Sequence, residues 1–154
     1  MDRIDRKLIG ELQRDGRLTN QELSERVSLS PSPCLRRLRQ LEQDGVIEGY
    51  TSIVNQEACG LHITAFVSIR LEKQNDKTIE AFEQGIRDLD EIVACYLMSG
   101  SSDYLLQVLS PSLKDYEAFI RDKLTRTPGI GTLETHFAFG QVKRSTIFPG
   151  FAQG

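Results

Sequence analysis

Apolar residues recur every three or four positions through the first third of the chain and shift towards every second position beyond it, so the hydrophobic period divides the sequence near residue 49. Ile4, Leu8, Ile9 and Leu12 share one side of a helix. Asp2 stands before it as an N-cap, Asp5 places a carboxylate at the positive helix end, and Gly16 stops it. Thr19-Asn-Gln-Glu22 is a capping box ahead of Leu23 and Val27, which predicts a second helix of about two turns. Ser28-Leu29-Ser30 makes a tight connection. A third helix opens in Ser30-Pro-Ser-Pro33, with serine as cap and proline tolerated in the first turn, and runs through Leu35, Leu38 and Leu41 to a Gly45 C-cap. Helices this short are marginal alone, so the three must pack on one another.

From Gly49 the pattern reads as strands and longer helices. Residues 50–54 predict a strand leaving the helical unit, and residues 64–71 a stronger one, rich in β-branched and aromatic side chains. Ile79, Phe82 and Ile86 mark a helix over 77–89. Residues 92–98 and 104–109 predict two strands split by the polar loop 99–103. A helix follows Pro111-Ser112, carrying Leu113, Tyr116, Phe119, Ile120 and Leu124, and a strand over 133–142 comes last. The order is that of a ferredoxin-like βαββαβ domain. The expected class is α+β, with a helix-turn-helix domain over 1–49, a linker strand and hinge over 50–62, and the βαββαβ domain over 63–154.

Composition sharpens this picture. All eleven aromatics lie from Tyr50 onward, so an aliphatic core is expected for the first third. That third carries nine basic and nine acidic residues, and the net charge of -3 belongs to the remainder. The balance argues against bulk coating of nucleic acid but leaves room for a small DNA-reading surface. No apolar run approaches the ~18 residues of a membrane span, and the polar start lacks the apolar core of a secretory signal, so a cytoplasmic protein is expected. Cys34, Cys59 and Cys95 are odd in number and widely spaced, which predicts reduced, mostly buried thiols.

Chemistry is concentrated in two places. The solvent side of the third helix carries Ser32, Arg36, Arg37, Arg39, Gln40 and Gln43. Arg and Gln side chains there can hold phosphates or bond base edges in a major groove, and Ser30 and Ser32 suit phosphates; a solvated face of a helical bundle is the plainer reading. In Gly100-Ser-Ser-Asp-Tyr104, glycine and small hydroxyls let backbone amides approach a carboxylate while Asp103 can accept from an ammonium, the two ends of an amino acid; a polar strand connection is the plainer reading. Cys59, His62, Cys95 and His136 make a four-ligand zinc set only on paper, and ordinary thiols and histidines account for them better. No nucleophile-base-acid trio or phosphate-cradling glycine loop is present, so no catalysis, metal or cofactor is expected.

The run Leu29-Ser-Pro-Ser-Pro-Cys-Leu-Arg-Arg-Leu-Arg-Gln-Leu-Glu-Gln-Asp-Gly-Val-Ile-Glu-Gly-Tyr50 resembles the recognition helix and wing of the bacterial Lrp/AsnC, or feast/famine, transcriptional regulators. Asp2-Arg-Ile-Asp-Arg-Lys-Leu-Ile9 with Leu12-Gln-Arg-Asp-Gly-Arg17 is similar to their first helix, and residues 100–106 fall where they keep an effector loop. The resemblance covers essentially the whole chain. It implies a winged helix-turn-helix domain joined to a βαββαβ domain that binds an amino-acid effector and dimerises, with dimers assembling into octamers. By position it places Ser30, Ser32, Pro33, Arg36, Arg37, Arg39 and Gln40 on double-stranded DNA, Arg37 and Arg39 foremost. It places Met98, Gly100, Ser101, Ser102, Asp103 and Tyr104 in the effector loop, with Thr135 and His136 contributed by a neighbouring subunit. Many relatives carry an acidic or aromatic residue where this chain has Ser101-Ser102, so no leucine or asparagine preference transfers. An amino-acid sensor that acts through protein partners is the alternative.

Overall fold

Helix α1 (Arg3–Arg14) begins at a closed capping box: the Asp2 carboxylate accepts from the Ile4 and Asp5 amides at 2.8 and 2.9 Å, and Asp5 accepts from the Asp2 amide at 2.8 Å. Helix α2 (Asn20–Arg26) repeats the device with Thr19 and Glu22. Helix α3 (Pro31–Gln43) does not: the Ser30 hydroxyl makes no cap hydrogen bond. Ser30 keeps the N-cap position but not the expected cap bond, since Pro33 has no amide to offer at the third helical position, one of the two that a serine cap bonds. The turn between α2 and α3 is set instead by Ser28 at a φ of 58°, by the Leu29 amide donating to the Ser24 carbonyl, and by the Asn20 amide group donating to the Pro31 carbonyl at 2.9 Å.

The computed structural model describes residues 1–151 and divides into two units, one of Met1–Ile53 with the segment from Val142, the other of Val54–Gln141. In the first, Leu8, Leu23 and Cys34 are fully buried among Ile9, Val27 and Leu41. This core is not purely aliphatic, because Phe151 packs against it from the far end of the described chain. The Thr146 hydroxyl donates to the Gln13 carbonyl at 2.9 Å, and the Phe148 amide to the Gln13 side-chain oxygen at 3.1 Å. Residues 142–151, expected with the second domain, thus pack with the first. Gly10, buried in mid-helix, shows the cost of this seat: an added Cβ would lie 2.3 Å from the Phe151 carbonyl oxygen. The expected strand over 50–54 is absent, and Tyr50, Ile53 and Val54 are exposed. No described strand lies beside them, so their backbone has no ladder to join.

The second unit follows the expected order: β1 (Ile63–Leu71), α4 (Asp76–Ile86), β2 (Ile92–Leu97), β3 (Tyr104–Ser110), α5 (Leu113–Asp122) and β4 (Ile130–Phe137). The sheet runs β2-β3-β1-β4, every pairing antiparallel. Ala65, Val67 and Ile69 of β1 and Tyr104, Leu106 and Val108 of β3 are buried with Phe82 and Ile86 of α4 and Tyr116 and Phe119 of α5. Both helices therefore cover one face, and burying a side chain such as Phe82 stabilises by about 1.5–3 kcal/mol. The alternate residues Phe66, Leu105 and Leu109 point to the other face and stay partly exposed. Strand β4 ends at Phe137, short of the expected residue 142, because Phe137 pairs with Ala65 and β1 begins two residues earlier. Only Cys34 is buried; Cys59, in a short 3-10 turn, and Cys95, on edge strand β2, are exposed, which corrects the expectation of mostly buried thiols.

Candidate functional site

The spacing of α3 sorts its polar residues into two sets. Ser32, Arg36, Arg39, Gln40 and Gln43 follow helical spacing along one exposed arc, preceded by the exposed Ser30, while Pro33 is half-buried. Gln40 donates to Asp44 at 2.7 Å, and among the described residues neither Arg36 nor Arg39 forms an ion pair. Arg37 lies one position off the arc and is half-buried. Its Nη1 donates to Asp2 at 2.7 Å and to Asp5 at 2.8 Å, so its charge is spent on the start of α1. The Asp2 carboxyl is held below the usual carboxylate range first by the Asp5 amide and then by Arg37. Beyond α3, Tyr50 donates to Glu42 at 2.9 Å, and burial followed by that carboxylate pushes its phenol up to about 12.

The loop between β2 and β3 is open on one side and anchored on the other. Met98, Gly100 and Ser101 are exposed. Gly100 has a φ of 122° with nothing near an added Cβ, so glycine serves the backbone conformation here rather than the space. Asp103 anchors the far end. Its amide donates to the Ile69 carbonyl at 2.8 Å, and its two carboxylate oxygens accept from the Leu71 amide at 2.8 Å and the Gln74 side chain at 2.7 Å. The Met98 amide closes the loop on the Asp103 carbonyl at 2.9 Å. Tyr104 is buried with its hydroxyl on Glu83 at 2.7 Å, and burial first, then Glu83, raises its phenol above the usual range. Gln74 and Glu83 were not singled out in the sequence; they reach the loop only through the fold.

Thr135 and His136 do not join this loop within one chain. Thr135 pairs with Val67 and Tyr104 with Ile69, on opposite sides of β1. Thr135 faces the helices, where its hydroxyl lies 2.6 Å from that of Tyr116. His136, next along the strand, faces the other way and sits 3.5 Å from Glu134. The paper zinc set is likewise dispersed, since Cys95 and His136 occupy opposite edges of the sheet and no cluster of metal-ligating side chains forms among the described residues.

The first unit is thus a helix-turn-helix with an exposed basic arc, and the second a βαββαβ domain with an open, anchored loop. Comparisons with known proteins supply the family. Residues 1–48 match the winged helix-turn-helix DNA-binding domain and residues 64–148 the Lrp/AsnC ligand-binding domain. The chain is 41% identical over 145 residues to the leucine-responsive regulatory protein of Klebsiella pneumoniae, covering 94% of this chain and 88% of that one. Among solved structures it is similar to a Neisseria meningitidis transcriptional regulator in complex with L-methionine, with TM-score 0.91, 36% identity and 97% and 96% of the two chains covered. An AsnC family regulator from Agrobacterium tumefaciens matches with TM-score 0.91, 35% identity and 97% coverage of both chains. The chain belongs to the Lrp/AsnC family, which comprises transcriptional regulators rather than enzymes.

Proposed function

We propose that this regulator reads a roughly palindromic DNA site through α3 and that a small amino acid, bound at the loop 98–104, alters its assembly and its DNA binding. The observation that carries the DNA reading is the exposed arc of Ser32, Arg36, Arg39, Gln40 and Gln43 on an otherwise neutral unit. Arg36, Arg39 and Gln40 meet base edges or phosphates there, and Ser30, Ser32 and the Pro33 turn lie against the backbone. Two copies would set their recognition helices ~34 Å apart, one turn of DNA.

The effector reading is supported by the methionine-bound relative and by the open loop. With the Asp103 carboxylate already bonded to Leu71 and Gln74, an ammonium would add to an existing network rather than fill an empty acceptor. The Gly100-Ser101-Ser102 backbone and hydroxyls are the groups left to a carboxylate. Met98 and Tyr104 border the site, and Thr135 and His136 would enter it only from a second subunit. The sheet face bearing Phe66, Leu105 and Leu109 suits pairing of copies, and the dimers are expected to build octamers. An effector that favours one assembly by ~1–3 kcal/mol is sufficient to switch it. No helix among the described residues is long and apolar enough to cross a membrane, in keeping with action in the cytoplasm.

A thermal-shift panel of the twenty amino acids on the purified protein tests the effector, because a ligand of the native state raises its unfolding midpoint. One or a few stabilising amino acids are expected, and a flat panel removes the effector reading. Salt-dependent binding to DNA selected from a random pool tests the other half. An amino-acid shift without such binding turns the protein into a sensor acting through protein partners.

A further inference from the structure

We propose that Arg37 is a positioning residue, which fixes the pitch of the recognition helix against the start of α1 and makes no contact with DNA itself. The proposal rests on the reading of α3 as the DNA-facing helix. One guanidinium nitrogen sits between two carboxylates, at 2.7 Å from Asp2 and 2.8 Å from Asp5. These carboxylates come from the N-cap and first turn of α1, so a single side chain ties the start of that helix to the middle of α3. The site holds two negative charges against one positive. A phosphate brought to Arg37 would therefore meet net repulsion, whereas Arg36 and Arg39, on the exposed arc, carry no such screen.

Position also counts against contact. Arg36 and Arg39 share an arc with Ser32 and Gln43, and Arg37 is turned about 100° from Arg36 around the helix. Its half-buried side chain reaches across to the N-cap and first turn of α1. Recognition helices read bases through geometry held to fractions of an ångström, so a loosened brace costs affinity without removing a contact.

The test compares Arg37→Ala, Asp5→Asn, their double variant and Arg39→Ala on one DNA fragment selected by the wild-type protein, across a range of salt and well below each unfolding midpoint. Asp5→Asn keeps an oxygen for the Asp2 amide while removing the charge. Arg37→Ala and Asp5→Asn are expected to weaken binding several-fold alike, the double variant to be no weaker than either, and the slope of log affinity on log salt to stay at the wild-type value. Arg37→Lys, which keeps a cation between the carboxylates, is expected to recover part of the loss. A slope lowered by about 1 in Arg37→Ala with Asp5→Asn unaffected makes Arg37 a phosphate contact and overturns the proposal. Unchanged affinity in both, with only a lower unfolding midpoint, overturns it in favour of plain support of the fold. Should wild type and Arg39→Ala alike lack salt-dependent binding, the DNA-reading assignment fails instead, a result distinct from either.

Discussion

The phenol of Tyr104 donates to the Glu83 carboxylate at 2.7 Å, joining the first residue of β3 to α4, where the Phe82 ring meets the same ring at a tilt, centroids 4.7 Å apart. Tyr104 thus ends the loop and belongs to the core at once. Removing only the hydroxyl, in Tyr104→Phe, leaves an exposed carboxylate that water can satisfy. The expected loss is about 0.5–1.5 kcal/mol, read from the midpoint of urea unfolding, with the amino-acid thermal shift retained. A lost shift at unchanged stability would bring the hydroxyl into the effector site.

Asp103 should behave differently from its neighbours in the loop. Asp103→Ala strands the Leu71 amide and frees Gln74, so a destabilisation of about 1–3 kcal/mol is expected together with faster hydrogen exchange at Leu71. Ser101→Ala and Ser102→Ala leave that anchor intact, and any loss of ligand shift in them reports contact with the ligand rather than loop collapse.

Gly10 gives a prediction whose sign depends on the chain's other end. Alanine is the better helix former by about 1 kcal/mol, but its Cβ would collide with the Phe151 carbonyl. Gly10→Ala should therefore destabilise the full chain and stabilise a version ending at Gln141. Thermal unfolding of the four proteins checks this, and the same sign in both backgrounds would mean that the segment does not hold this seat in solution.

Acid should loosen the first unit through its helix caps. Asp2 is held low by the Asp5 amide and then by Arg37, and Glu22 by the Thr19 amide and then by the Thr19 hydroxyl. Carboxylates depressed in the fold add stability that is complete above their unfolded values near pH ~4 and is lost as the pH falls through the folded ones. Asp2→Asn with Glu22→Gln should flatten the decline of the first unit's unfolding midpoint below about pH 4, followed by helical circular dichroism.

The periodicity carried most of the architecture, because Ala65, Val67 and Ile69 alternate and Leu8 and Leu12 recur as burial on one side requires. Arg37 eluded it: on a helical wheel it borders the solvent arc, and nothing local says that Asp2 and Asp5 will arrive from 35 and 32 residues away. The opposite facing of Thr135 and His136 was implicit in strand alternation, yet only the register against Val67 shows which faces the helices. Residues 50–54 have the side chains of a strand but no partner, and pairing is the part of a strand that its own sequence does not encode.

The seat of Phe151 beneath α1 bears on the order in which the protein matures during synthesis. The helices that read DNA emerge from the ribosome first, but the segment that finishes their core is made only after every strand of the ligand-binding sheet. Domains fold as they emerge, so the ligand unit has its full complement of residues before the DNA-reading unit does. A chain stalled before residue 142 would then hold every strand of the ligand-binding sheet while its helical core still lacks Phe151.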